Sequence, residues 1–124
     1  MTQRMFDPDT PALDLSVLEE FVELIGANAP EITGKIVGLF LEETPPLIAE
    51  LDAAVRESNY ARVESIAHRL RGSCMSLGVY AMADRCAILE ECLPHEGVAL
   101  FTSVSAEYRR AKVALRAFLE SSSG

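Results

Sequence analysis

Apolar residues recur at three- and four-residue spacing along most of this chain, and breaks containing Gly, Pro or Asn divide the pattern into helices. A short first helix is predicted from about Asp14 to Ile25, with Leu15, Leu18, Phe21, Val22 and Ile25 on one side. Asp14 can cap its start and Gly26 marks its exit. Asn28-Ala29-Pro30 opens a long second helix, since Pro is tolerated in a first turn. Its apolar set is Ile32, Ile36, Val37, Phe40, Leu41, Leu47, Ile48, Leu51 and Val55. Pro45-Pro46 removes two backbone donors in mid-helix and should bend or split it; a kink is favoured because the apolar spacing resumes beyond.

After a turn at Ser58-Asn59, the third helix carries Val63, Ile66, Ala67, Leu70, Cys74 and Leu77 in a stripe roughly 100° wide. Gly78 closes it by tolerating a left-handed backbone. A fourth helix, from about Val79 to Leu93, buries Met82, Ala83, Cys86, Leu89 and Leu93, and Pro94-His95-Glu96-Gly97 turns the chain. The last helix, from about Val98 to Leu119, presents Leu100 or Phe101, Val104, Tyr108, Ala111, Leu115, Phe118 and Leu119. Four long helices with short connections predict an all-α, antiparallel up-down-up-down four-helix bundle, with the short N-terminal helix covering one end. Residues 1–13 read as a flexible lead-in, 14–120 as the bundle and 121–124 as a frayed tail. Met1 and the polar tail favour a free-standing protein over a domain of a larger one.

The stripe on the third helix gives His68 its interest. His68 projects about 150° from the stripe's centre and so should face water. Gly72 follows one turn later on the same face, and Arg69 and Arg71 flank it. An exposed imidazole beside a bare patch, with two guanidinium groups in reach, suits a phosphoryl-carrying site. Imidazole in water titrates at about 6.5, so near neutral pH much of it offers a nucleophilic nitrogen. Gly72 costs a helix roughly 1 kcal/mol relative to Ala, and its outward face points to close approach by a partner rather than to tight helix packing. Met75, on the same side, is an exposed apolar residue suited to docking. Ser73 lies nearer the core side and should bond a carbonyl one turn back. Glu64, four residues before His68, reads as an i,i+4 surface contact on the partner-facing side rather than half of a metal or acid–base pair.

Charge and composition narrow the partners. The chain has 124 residues, enough for one core, and a formal net charge of -8. Residues 14–57 hold ten acidic side chains against Lys35 and Arg56, while residues 58–124 hold seven against eight basic ones. Phosphate backbones would be repelled, so nucleic-acid binding is not expected. Arg109, Arg110, Lys112 and Arg116, with Glu107 and Glu120 nearby, read as a solvated helix face. Cys74, Cys86 and Cys92 cannot all pair and show no zinc spacing, and Cys74 and Cys86 fall on apolar faces. A reducing cytoplasm is the expected compartment, with no export segment, no bilayer span and no metal site. His95 should be merely solvent-exposed.

Ala67-His68-Arg69-Leu70-Arg71-Gly72-Ser73, continuing through Leu77-Gly78, resembles the signature of histidine phosphotransfer (HPt) domains of bacterial multistep phosphorelays. Leu39-Phe40-Leu41-Glu42-Glu43 with a following Pro, and Leu51 through Ala54, resemble that family's second helix. Leu89-Glu90 resembles the end of its helix after the histidine, so the similarity covers roughly residues 13–120. Arg71 stands where the family usually has Lys, and Cys74 where it has a small Ser or Ala. Arg keeps the charge with a different fork geometry.

The resemblance implies a phosphoryl carrier without autonomous catalysis. His68 would accept the group on its outward nitrogen from a receiver aspartate and pass it to another receiver. Arg71 would stabilise the transferred oxygens, Arg69 would steer a receiver's acidic rim, and Gly72 would admit the receiver's loops. The expected partners are receiver domains of response regulators and hybrid histidine kinases, and the protein is expected to be a monomer. It needs no cofactor of its own, because Mg²⁺ is expected in the receiver. The alternative is a helical module that docks and inhibits a kinase or receiver without carrying phosphate. An enzyme using His68 as a base lacks an acidic partner set and a cofactor signature.

Overall fold

Asp14 starts the first helix, α1 (Leu15–Ile25), by accepting the Ser16 amide at 3.0 Å. Gly26, at φ 78°, releases the chain into a short 3₁₀ turn, Gly26–Asn28. Helix α2 (Ala29–Arg56) follows with Pro30 in its first turn. Asn59 accepts the Arg62 amide and caps α3 (Tyr60–Leu77), which leads into α4 (Tyr80–Glu90). A 3₁₀ turn at Pro94–Glu96 opens onto α5 (Gly97–Ser123). The structure, a computed structural model, describes residues 10–91 and 94–123. Of the expected features, most of the lead-in, Cys92 and Leu93 therefore lie outside the described residues.

Helices α2, α3, α4 and α5 form a closed ring in which each packs on two neighbours, an all-α four-helix bundle. The six stripe residues of α3 are all buried, as are Met82, Ala83, Cys86 and Leu89 of α4 and Val104, Tyr108, Ala111 and Leu115 of α5. Each large aliphatic side chain buried here contributes about 1.5–3 kcal/mol. Together they fix the rotation of α3 that turns His68 outward. Helix α1 lies against α2, and its start is tied to the α3–α4 turn by the Asp14 amide donating to the Gly78 carbonyl at 2.8 Å. Gly78 is required twice over. Its φ is 82°, and a Cβ there would sit 2.8 Å from the Asp14 carbonyl oxygen.

Helix α2 continues through Pro45-Pro46 as one helix rather than splitting there, in keeping with the apolar spacing that resumes beyond, while several other expectations need correction. Pro45 has no amide to give the Leu41 carbonyl, and the Tyr108 hydroxyl donates to that oxygen from α5 at 3.4 Å. Helix α4 is a short 11-residue helix ending at Glu90, so only three of the four bundle helices are long. Helix α5 extends through Ser123, past its expected end at Leu119. Leu15 and Ile32, expected on apolar faces, are exposed; Leu15 borders an open apolar groove against Ala114 and Phe118 of α5 rather than being enclosed by it. Glu107, expected on a solvated face, is buried and paired with Arg110 at 2.5 Å.

Candidate functional site

The α3–α4 hairpin builds the site. His68 lies ten residues before Gly78 and Glu90 twelve after it. At about 1.5 Å per residue, two antiparallel helices joined there bring the two side chains to nearly the same level. His68 is 68% exposed, and Glu90 Oε1 lies 2.9 Å from its Nδ1. Arg71, one turn beyond His68, places Nη2 3.1 Å from the same Nδ1 and Nε 2.7 Å from Glu90 Oε2. Glu90 is only 14% exposed and Arg71 34%, so a half-buried ion pair underlies an open ring. The contacts of the ring with Glu90 and Arg71 both run through Nδ1, leaving Nε2 clear of these two partners on an exposed side chain.

The crest of α3 separates two clefts. On the α4 side, Glu64, Arg71, Ala87, Glu90 and Glu91 line a polar cleft of about 280 Å³. On the α2 side lies an apolar groove of about 270 Å³, whose lining includes Ile36, Leu39, Leu47, Arg69 and Ser73. Arg71 and Arg69 thus lie on opposite flanks of the His68 face, as the helical wheel places them, and of the two it is Arg71 that contacts the ring. Gly72 lies on the crest, and a Cβ there would meet nothing within 4 Å. Crowding by a neighbouring helix therefore does not explain this glycine. Met75 is 52% exposed. Ser73 donates to the Arg69 carbonyl at 3.4 Å, one turn back as its helical position suggested. Glu64 makes no hydrogen bond or ion pair with His68, so the expected i,i+4 contact is replaced by a place in the polar cleft wall. His95 is exposed and remote in sequence from these elements.

Glu90 is the residue that sequence reasoning left out of the site. One signal for it was present. An acidic side chain in the last turn of a helix opposes the helix dipole, so its stability there depends on a cation from elsewhere. Arg71 is that cation. Beneath the site, burial pushes the Cys74 thiol up to about 12 and Cys86 higher still, so both are inert packing groups. Among the described residues no cluster of three or more His, Cys, Asp or Glu could hold a metal ion. Nor is any helix among them long and apolar enough to cross a membrane.

These features have counterparts in known proteins. A family model described as the Hpt domain matches residues 35–122. The "Sensor protein TorS" of Escherichia coli (strain K12) is 34% identical over 92 residues, covering 70% of this chain and 10% of the relative. The "Sensor histidine kinase AruS" of Pseudomonas aeruginosa is 38% identical over 89 residues, covering 70% of this chain and 8% of the relative. The chain spans a tenth or less of the length of these two relatives. A helical bundle with an exposed histidine on its third helix, matched by the family model over most of its length, belongs to the Hpt domain family, whose function is histidine phosphotransfer in phosphorelays.

Proposed function

We propose that this chain is a phosphoryl carrier that takes the group onto His68 Nε2 from the aspartyl phosphate of a receiver domain and delivers it to the aspartate of another. The observation carrying this reading is the exposed ring, engaged only through Nδ1, with Nε2 open to an approaching protein. In the forward step the Nε2 lone pair attacks phosphorus. The phosphorus–oxygen bond of the acyl phosphate breaks, and its electron pair returns to the carboxylate. In-line placement and charge stabilisation are all that the bundle needs to supply. Arg71 lies within reach of the transferred oxygens, and Mg²⁺ is expected in the receiver.

The docking face follows from the clefts. Gly72 offers bare backbone beside the ring, and Met75 supplies adaptable apolar surface. The α2–α3 groove with exposed Leu39 adds an apolar seat on the other flank, where Arg69 would meet a receiver's acidic rim. Glu64 borders the same face. The protein acts as a carrier without catalysis of its own, as a monomer in the cytoplasm, serving receivers of response regulators or hybrid histidine kinases.

Incubation with a phosphorylated receiver tests this. Label should move to the protein in an acid-labile, alkali-stable form, and His68→Gln should abolish it with helicity and melting unchanged. Labelling that persists in that variant contradicts the assignment. Tight receiver binding with no labelling of the native protein would instead favour the inhibitory docking module.

A further inference from the structure

Helix α5 lies across the ring from α3, so its outer face looks away from His68. Two kinds of surface meet on that face. Arg109, Lys112 and Arg116 fall along one side of α5 at helical spacing. Ala114, Phe118 and Ser121 fall along the other side and, with Leu13, Leu15 and Ala117, line an open, mainly apolar groove of about 320 Å³. Between the two stands Val113, largely exposed. Packing within the bundle leaves the groove open, with Leu15 half exposed at its rim. Residues 109–121 hold four cationic side chains and one acidic one, Glu120. Arg110 is paired with a carboxylate, Glu107, whereas Arg109 reaches the Ser105 hydroxyl and Lys112 stands over the Tyr108 ring. A molecule of net charge -8 thus presents a local positive border beside exposed apolar surface.

We propose that the outer face of α5 is a second docking surface, which takes an acidic amphipathic helix of a partner protein. Its apolar side chains enter the groove, and its carboxylates lie along Arg109, Lys112 and Arg116. The dimensions suit such an occupant. Residues 109–121 span about 20 Å of helix, the length of three to four turns of a partner lying alongside. A helix seated in a groove offers apolar side chains at three- and four-residue spacing and leaves its flanks free for charge pairing.

Charge and shape select among occupants. A basic segment would meet three like charges along the border. A bilayer is flat where the groove is concave, and the acidic α1 whose start borders the groove, with Glu19, Glu20 and Glu23, would repel anionic headgroups. The acidic α1 of a second copy is no substitute, because its apolar side already packs on its own α2 and buries Leu18. Since α3 and α5 stand on opposite sides of the bundle, both surfaces can be occupied at once. The α5 surface would then hold the bundle beside a relay partner while receivers exchange at His68. That consequence rests on the carrier reading of His68; the docking itself does not.

Titration of the ¹⁵N-labelled full chain with a synthetic helical peptide tests this. The probe has about 16 residues, Leu at alternating three- and four-residue spacing and Glu on the flanking positions. Amide resonances of residues 109–121 and of Leu13 and Leu15 should shift, and those around His68 should stay fixed. Arg109→Glu combined with Arg116→Glu should raise Kd about tenfold or more, as should Ala117→Glu, which sets a like charge in the groove wall. These variants should melt and accept phosphoryl as the native protein does. Raising the ionic strength from about 0.05 to about 0.5 M should weaken binding several-fold. The same peptide with Lys in place of Glu should not bind. An absence of shifts up to about 1 mM peptide, shifts confined to the α2–α3 groove, or equal binding of the Lys peptide overturns the proposal. Arginine-dependent binding to phosphatidylglycerol vesicles without peptide binding would make this a lipid-facing surface and overturn it too. So would self-association abolished by the same substitutions. None of these readouts needs a receiver, so a protein that binds the peptide yet is never labelled would sink the carrier reading alone.

Discussion

The same substitution at two glycines of one helix hairpin should have opposite consequences. Gly72 is exposed inside α3, where an added Cβ meets nothing within 4 Å. Gly72→Ala should therefore recover the helix propensity that glycine forfeits, about 0.8–1.0 kcal/mol, and raise Tm by about 4 °C. Gly78→Ala meets two penalties. A left-handed backbone costs a residue with a Cβ about 1–2 kcal/mol. The new atom would also lie 2.8 Å from the Asp14 carbonyl oxygen and 3.0 Å from Val17 Cγ2, so α1 must shift. That shift strains the Asp14–Gly78 backbone bond, worth about 1 kcal/mol. The sum is about 2–3 kcal/mol, or roughly 8–12 °C in Tm. Urea and thermal denaturation measure both changes, and the rate of phosphoryl acceptance from a labelled receiver measures their effect on function. Gly72→Ala should transfer more slowly although it is more stable, because its methyl stands on the crest that the receiver must approach. Gly78→Ala should lose stability while its folded fraction transfers normally. A Gly72→Ala protein that is stabilised yet accepts phosphoryl at the native rate would refute the idea that this glycine clears a path to the ring.

Arg71→Ala should slow transfer by about tenfold, since it removes a partly exposed charge beside the reacting group. Arg69→Ala, on the other flank, should have a smaller effect that fades with salt; equal, negligible changes in quenched-flow rates would show that neither charge participates. Native alkylation followed by peptide-resolved mass spectrometry should leave Cys74 and Cys86 unmodified at about pH 8. Burial raises the Cys74 thiol from 9.0 to about 12, so the folded state holds a proton that the unfolded chain releases. Stability should then fall as pH rises from about 9 toward 12, and less steeply in Cys74→Ala; equal slopes would contradict the linkage. Tyr108→Phe should cost about 0.5–1 kcal/mol in urea denaturation, the low end for a long hydrogen bond, because it leaves the Leu41 carbonyl with neither Tyr108 nor a residue-45 amide. No loss would mean that another donor takes that oxygen.

Local rules account for what was legible in the chain. The six apolar residues of α3 are all in the core, because a 3.6-residue period alone determines which face is buried. Asp14, Asn59 and Gly78 mark helix ends through capping chemistry confined to a few neighbours. The outward aim of His68 follows from the same periodicity. What escaped the reading depends on partners distant in sequence. The donor that meets the Leu41 carbonyl, left without an amide by Pro45, is a hydroxyl 67 residues away. Burial of Glu107 accompanies its pairing with Arg110, with the Arg85 guanidinium of α4 also close enough to interact. The Glu90–His68 contact requires the register of the α3–α4 hairpin, which neither helix specifies by itself. The placement of Arg69 and Arg71 on opposite flanks of His68, by contrast, follows from the helical period.

The most direct examination of His68 Nε2 as the carrier atom is a phosphorus–nitrogen coupling spectrum of the ¹⁵N-labelled protein after reaction with a phosphorylated receiver. A single phosphorus resonance coupled to Nε2 of His68 is the expected result. Coupling to Nδ1 or to His95, or a phosphorus signal with no nitrogen attached, would contradict it.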